Sequence, residues 1–201
     1  MAIGSEIKST TIGLLTLLTQ NLSEISEESL ERFVETLVAH YNSKVLVVGA
    51  GRSLLVGKSF ALRLLHLGYQ VYVLGDTLVP SISKGDLVVA ISGSGSTKLV
   101  VTAVEAAKHA GATIASITSF PDSPVGRLSD VILKVKGRII GEEERRDYFS
   151  RQILGIHEPL APLGTLFEDS CMILLDAMIP ILMERLGVTE EALKRRHANV
   201  E

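Results

Sequence analysis

The 201-residue sequence predicts a single α/β domain spanning 1–201, built on a five-stranded doubly wound parallel sheet in the order 2-1-3-4-5, flanked by helices and preceded by an N-terminal helical arm over 1–42. Three observations carry this prediction. From Lys44 onward, short apolar runs rich in β-branched residues alternate with stretches of helical periodicity, the pattern of a parallel sheet covered on both faces. The first and third of these runs end in glycine-rich turns that lead straight into helices. With 46% hydrophobic residues, a chain of this length can bury a full core in one domain.

In the arm, Ile7, Leu14, Leu15 and Leu18 recur at roughly helical spacing, and Leu30, Phe33, Val34, Leu37 and Val38 do so again in a second helix. Ser26, followed by Glu27 and Glu28, supplies an N-cap hydroxyl and early acids for the start of that second helix. Strands are expected over 45–48, 71–74, 87–91, 113–118 and 131–135. Helices over 53–67 and 97–110 end before Gly68 and Gly111, which suit C-terminal caps. The prolines at 121 and 124 leave room only for a short turn or helix before the fifth strand.

The segment 136–161 breaks the alternation. Its charge run from Glu142 to Asp147 and the prolines at 159 and 162 read as a solvated excursion with some helix, not a second domain. A long helix over 165–186 follows, apolar almost all round with Phe167, Ile173, Leu174, Met178, Ile181 and Leu182; such a helix is central to the core or shared between subunits. Thr189, Glu190 and Glu191 then open a short helix ending in Lys194-Arg195-Arg196-His197, whose basic last turn complements the dipole. His66, just before Gly68, has the same explanation.

Composition narrows the function. A formal charge of −3, from 20 basic and 23 acidic residues, offers no cationic surplus for a nucleic-acid backbone, so any anion site must be local. Cys171 stands alone, which excludes an intrachain disulfide and points to a reducing compartment. Five scattered histidines without ligand spacing give no indication of a metal. The N-terminus lacks the layout of a signal peptide, and the apolar stretch 166–183 contains Glu168, Asp169, Asp176 and Pro180, which a membrane span would tolerate badly. A cytoplasmic protein without a membrane partner is expected.

Two turns carry candidate chemistry. Gly49-Ala50-Gly51-Arg52-Ser53 would bring backbone amides to an anion at a helix N-terminus, with Arg52 adding a charged fork of donors. A dinucleotide fingerprint is the rival reading, supported by Asp76 after the second strand; against it, Leu54 takes the third small position, leaving no room for close helix-to-strand packing, and Gly57 is displaced. Ser92-Gly93-Ser94-Gly95-Ser96-Thr97 combines hydroxyls and amides in the way a phosphate dianion needs, and Lys98 falls after Thr97, so a Walker loop is disfavoured. In the 2-1-3-4-5 order both turns would line one crevice. Thr165 and Glu168 have the spacing of a capping box; Glu168 could also face the crevice as a general base. Asp169 and Asp176 read as helix contacts.

The Gly49 to Ser53 turn, the stretch from Phe60 to Gly68, Ile91 to Ser96, Pro162 to Glu168 and the closing Lys194 to Asn199 together resemble the sugar isomerase (SIS) domain family and, within it, the 6-phospho-3-hexuloisomerases of the ribulose monophosphate pathway. The similarity covers nearly the whole chain; the 136–161 excursion departs from it, being longer. The resemblance implies an SIS-type fold and interconversion of 3-hexulose 6-phosphate with fructose 6-phosphate, without metal or organic cofactor, in a homotetramer. It implies Glu168 as the proton-shuttling base and His197 as the group that assists at oxygen. Gly51, Arg52, Ser53, Ser92, Gly93, Ser94, Ser96 and Thr97 are then the expected substrate and phosphate contacts, with Glu168 of one subunit meeting His197 of another. An isomerase for an arabinose or heptose phosphate and a sugar-phosphate sensor without turnover are the competing expectations.

Overall fold

A computed structural model describes residues 2–137 and 164–198. The expected 136–161 excursion lies outside the described residues beyond its first two positions, as do Pro162, Leu163 and Asn199. The described chain contains seven helices and five strands: α1 (Ile3–Ser23), α2 (Glu27–Ala39), β1 (Lys44–Val48), α3 (Arg52–Leu67), β2 (Gln70–Val73), β3 (Leu87–Ile91), α4 (Lys98–His109), β4 (Thr113–Thr118), α5 (Pro124–Leu128), β5 (Val131–Lys134), α6 (Thr165–Leu186) and α7 (Glu190–Arg196). The strands form one parallel sheet in the order β2-β1-β3-β4-β5, as the sequence predicts.

The two-residue strand period sorts the core onto two faces. Val45, Val47, Leu87, Val89, Ile91 and Ile117 pack with α2, α3 and α6, while Leu46, Val48, Val88, Ala90 and Ile114 pack with α4 and α5. The crossover after β1 thus covers one face and those after β3 and β4 the other. This reversal opens the sheet's carboxyl edge between β1 and β3, which pair from Val45 with Leu87 to Val48 with Ala90.

Local signals place most helix ends as expected. The Ser26 side chain accepts from the Ser29 amide at the start of α2, and Thr189 does the same for Ala192 in α7. Gly68 ends α3 with φ 105°, a left-handed conformation costly for any residue with a Cβ.

One expectation about packing is overturned. Helix α3 does approach β1 closely, and Gly57 makes the approach: a Cβ there would stand 2.9 Å from Val47 Cγ1. The displaced glycine performs the close-packing role one turn later than a dinucleotide fingerprint would put it.

The arm lies against α6. Leu14, Leu17 and Leu18 surround Leu166, and the buried Asn21 amide donates to both the Lys136 carbonyl and Ser170 Oγ, each at 2.8 Å. No helix among the described residues is long and apolar enough to cross a membrane.

Candidate active site

Three helix N-termini meet at the carboxyl edge of the sheet. Helices α3 and α4 begin directly after β1 and β3, and the first turn of α6 reaches both of those turns. Their exposed amides and dipoles favour an anion at this point. Ion pairs of Arg52 with Asp169 and of Arg63 with Asp176 hold α3 and α6 side by side in the same direction, so the two aspartates make the helix contacts expected of them.

The turn after β1 is shaped by its glycines. Gly51 has φ 56°, and a Cβ at Gly49 would stand 2.9 Å from the Leu54 amide nitrogen. Asp76, the would-be ribose ligand of a dinucleotide site, forms an exposed ion pair with Lys58 of α3 at 3.2 Å.

The turn after β3 is braced from below. Ser92 is 3% exposed, and its Oγ accepts the Gly95 amide at 3.2 Å, so this hydroxyl holds the turn's shape. Gly95 has φ 60°, and a Cβ there would fall 1.9 Å from Ser123 Oγ, the oxygen that caps α5. Ser94 Oγ accepts the Ser96 amide at 3.3 Å and stands 3.5 Å from Thr97 Oγ1. Ser96 is exposed, and Ser94 and Thr97 are partly so, which leaves these three hydroxyls accessible from the crevice edge.

The capping box expected at Thr165 and Glu168 does not form. Gly164, with φ 96°, is the N-cap of α6 and supplies no side chain; this puts Glu168 one position beyond the reciprocal reach of a capping glutamate. Glu168 turns instead to Arg52, whose Nε donates to Oε2 at 2.6 Å, with the Ser53 hydroxyl as a further partner. Arg52 also reaches Asp169 at 3.3 Å. Glu168 is 8% exposed, and burial pushes its pKa above the ordinary 4.5 although the Arg52 hydrogen bond and charge pull it down. A carboxylate held charged by a guanidinium yet destabilised by burial is tuned toward accepting a proton.

Arg52, Leu55, Val56, Glu168, Asp169 and Met172 line an open concavity of about 210 Å³. Cys171, one helical turn after Glu168, is fully buried behind it, and burial with the nearby carboxylate pushes its thiol pKa well up. That thiol is a neutral packing element.

His197 is elsewhere in the same chain. It caps α7 at the far end of α3, its ring 5.0 Å from that of His66, while Arg196 donates to the His66 and Leu67 carbonyls. Arg52 and His66 are separated by nearly the whole of α3, about 21 Å at the helical rise. One chain therefore brings together Arg52, Ser53, Glu168 and the Ser92–Thr97 turn, and leaves His197 out. Spacing alone did not show that Asp169 pairs with Arg52 or that Phe167 packs on Gly93, since both contacts join segments distant in sequence; for the second, the one available signal was glycine at 93.

Residues 39–141 match the family model described as SIS domain. An uncharacterized protein of Aeropyrum pernix is 61% identical over 90% of this chain and 86% of its own length. The 3-hexulose-6-phosphate isomerase of Mycobacterium gastri is 42% identical over 79% of this chain and 74% of its own. Among solved structures, a Methanococcus jannaschii protein with an inferred molecular function of 3-hexulose-6-phosphate isomerase superposes with a TM-score of 0.73 at 28% identity, covering 98% of this chain and 99% of its own.

Proposed function

Because the chain belongs to the SIS domain family and is an isomerase by its relatives, we propose that it interconverts 3-hexulose 6-phosphate and fructose 6-phosphate through an enediol, with Glu168 as the base and no metal or organic cofactor. The observation that carries the reading is the Glu168 carboxylate: buried, raised in pKa, held by Arg52, and set beside a hydroxyl-rich turn at converging helix N-termini.

The phosphate binds at the turn after β3, where Ser94, Ser96 and Thr97 and the amides from Ser92 to Thr97 supply hydrogen bonds and the α4 dipole supplies field. Gly51, Arg52 and Ser53 hold the sugar from the neighbouring turn. From fructose 6-phosphate, Glu168 takes the C3 proton, and the electron pair forms the C2–C3 double bond as the C2 oxygen gains a proton. Return of the proton to C2, with loss of one from the C3 hydroxyl, places the carbonyl at C3. One carboxylate serves both carbons because a cis-enediol presents them to the same side.

His197 assists at oxygen from a neighbouring subunit of a homotetramer. Within a chain it is separated from Glu168 by nearly the length of α3, so an intrachain role would need the terminal helix to leave its place on His66 and Leu67. Leu55, Leu62 and Leu65 on α3 and Ile173 and Ile181 on α6 are large exposed apolar residues on the two helices that line the concavity, the surface a second subunit would cover.

The test is ¹H NMR of fructose 6-phosphate in D₂O with the purified protein. Deuterium at C3 and appearance of the 3-ketose are the expected result. Binding without exchange at any carbon would instead identify a sugar-phosphate sensor, and turnover confined to an arabinose or heptose phosphate would reassign the substrate.

A further inference from the structure

Phe167 and Glu168 are consecutive on the first turn of α6, and at 3.6 residues per turn their side chains leave the helix about 100° apart. Glu168 turns to α3. Phe167, 3% exposed, rests on Gly93 in the turn after β3: a Cβ at that glycine would stand 3.2 Å from the ring's Cδ1, 3.3 Å from Cγ and 3.5 Å from Cε1. Gly93 is not one of the positive-φ glycines, so the missing side chain answers to the ring and not to backbone strain. Behind the ring, a Cβ at Gly137 would lie 3.5 Å from Phe167 Cβ. Gly93 is itself anchored to the end of β4, its carbonyl accepting from the Ser119 amide at 3.0 Å and from Thr118 Oγ1 at 3.4 Å. Phe167 thus meets two backbone glycines, its ring resting on Gly93 and its Cβ facing Gly137, with the hydroxyl turn on one side and the carboxylate-bearing helix as its mount.

Resting on the isomerase reading above, we propose that Phe167, packed on Gly93, is the positioning residue that sets the spacing between the phosphate-holding turn and Glu168, and with it the pair of carbons the carboxylate addresses. With the phosphate anchored, the base meets whichever carbon lies at the right distance along the sugar. Successive atoms of an extended chain advance by about 1.2 Å, so a small change in this spacing moves the carboxylate off C3 toward its neighbours. Proton removal from C3 forms the C2–C3 enediol, whereas removal from C1 of fructose 6-phosphate forms the C1–C2 enediol of an aldose–ketose exchange. A methyl group at residue 93 would push the ring, and Glu168 with it, away from the turn.

The experiment compares wild type, Gly93→Ala, Phe167→Leu and the double variant by steady-state kinetics and by the position of deuterium gained by fructose 6-phosphate in D₂O. Gly93→Ala is expected to lower kcat by about tenfold or more with KM changed less than about threefold, the signature of a misplaced base and an intact phosphate site, and to raise the share of label at C1 relative to C3. Phe167→Leu, which clears room for the added methyl, is expected to recover kcat and C3 labelling in the double variant. Wild-type kcat and labelling in Gly93→Ala, a loss confined to KM, or no recovery in the double variant would each overturn the proposal. Should Gly93→Ala not fold, Phe167→Leu alone decides: reduced C3 labelling at retained affinity supports the role, and wild-type behaviour removes it. A wild-type protein that labels no carbon overturns the isomerase reading and this one with it, whereas normal wild-type labelling left unaltered by the variants overturns only this one.

Discussion

Arg52 and Glu168 lie 116 residues apart in the sequence and meet at 2.6 Å, the first residue of α3 against the first turn of α6. This pair joins the turn after β1 to the first turn of α6.

Glu168 makes no capping box, so Glu168→Gln removes the carboxylate without removing a helix cap, and the amide oxygen can still accept from Arg52 Nε. Turnover is expected to fall at least about a hundredfold, the usual scale of general-base catalysis, with the far-ultraviolet circular dichroism unchanged. Near-normal isomerase rates in the folded variant would remove Glu168 from the mechanism.

The raised Glu168 pKa has a sign that can be measured twice. The base must be ionised, so the acid limb of kcat/KM is expected above the ordinary 4.5, and Arg52→Gln, which removes the hydrogen bond and charge that lower it, is expected to move that limb further up. For stability, a raised carboxyl contributes fully below 4.5 and loses that contribution as pH rises through its folded value. Thermal melts of Glu168→Gln should therefore gain on wild type as pH rises from 4.5 through the folded value; a constant difference would contradict the shift.

Ser94→Ala and Thr97→Ala are each expected to weaken fructose 6-phosphate binding by about 1–3 kcal/mol, the range for losing a hydrogen bond to a charged group. Calorimetry showing unchanged affinity in both would move the phosphate elsewhere.

Mixing inactive Glu168→Gln and His197→Ala proteins under subunit exchange is expected to restore activity, because some hybrid sites would receive an intact Glu168 from one chain and His197 from another. No recovery, with exchange confirmed by mass spectrometry, would assign both residues to one chain.

Gly57→Ala places a methyl 2.9 Å from Val47 Cγ1 at the contact of α3 with β1, and is expected to cost about 1–3 kcal/mol as overpacking. An unchanged urea midpoint would show that α3 can shift without loss.

The fold was legible because its signals are local. A fully buried parallel strand reads as a continuous β-branched run, Ser26 and Thr189 cap the helices they precede, and Gly68 meets the conformational demand of its own position. The turn from Ser92 to Thr97 was legible for the same reason, since strand, glycines, hydroxyls and helix follow one another directly.

Local spacing misled where two explanations share one pattern. Thr165 and Glu168 have the separation of a capping box, but the N-cap falls at Gly164, and the carboxylate is drawn away by a guanidinium whose position depends on how α3 lies against α6.

By itself, the sequence determined the five-stranded order, the two glycine-rich turns at one edge and which polar side chains those turns carry. Tertiary structure alone decided that Glu168 is buried against Arg52, that Phe167 rests on Gly93, and that His197 lies beside His66 at the opposite end of α3. The physical reason is that periodicity and capping depend on residues within one or two turns, whereas burial, ion pairing and the distance between two groups depend on how separate elements pack.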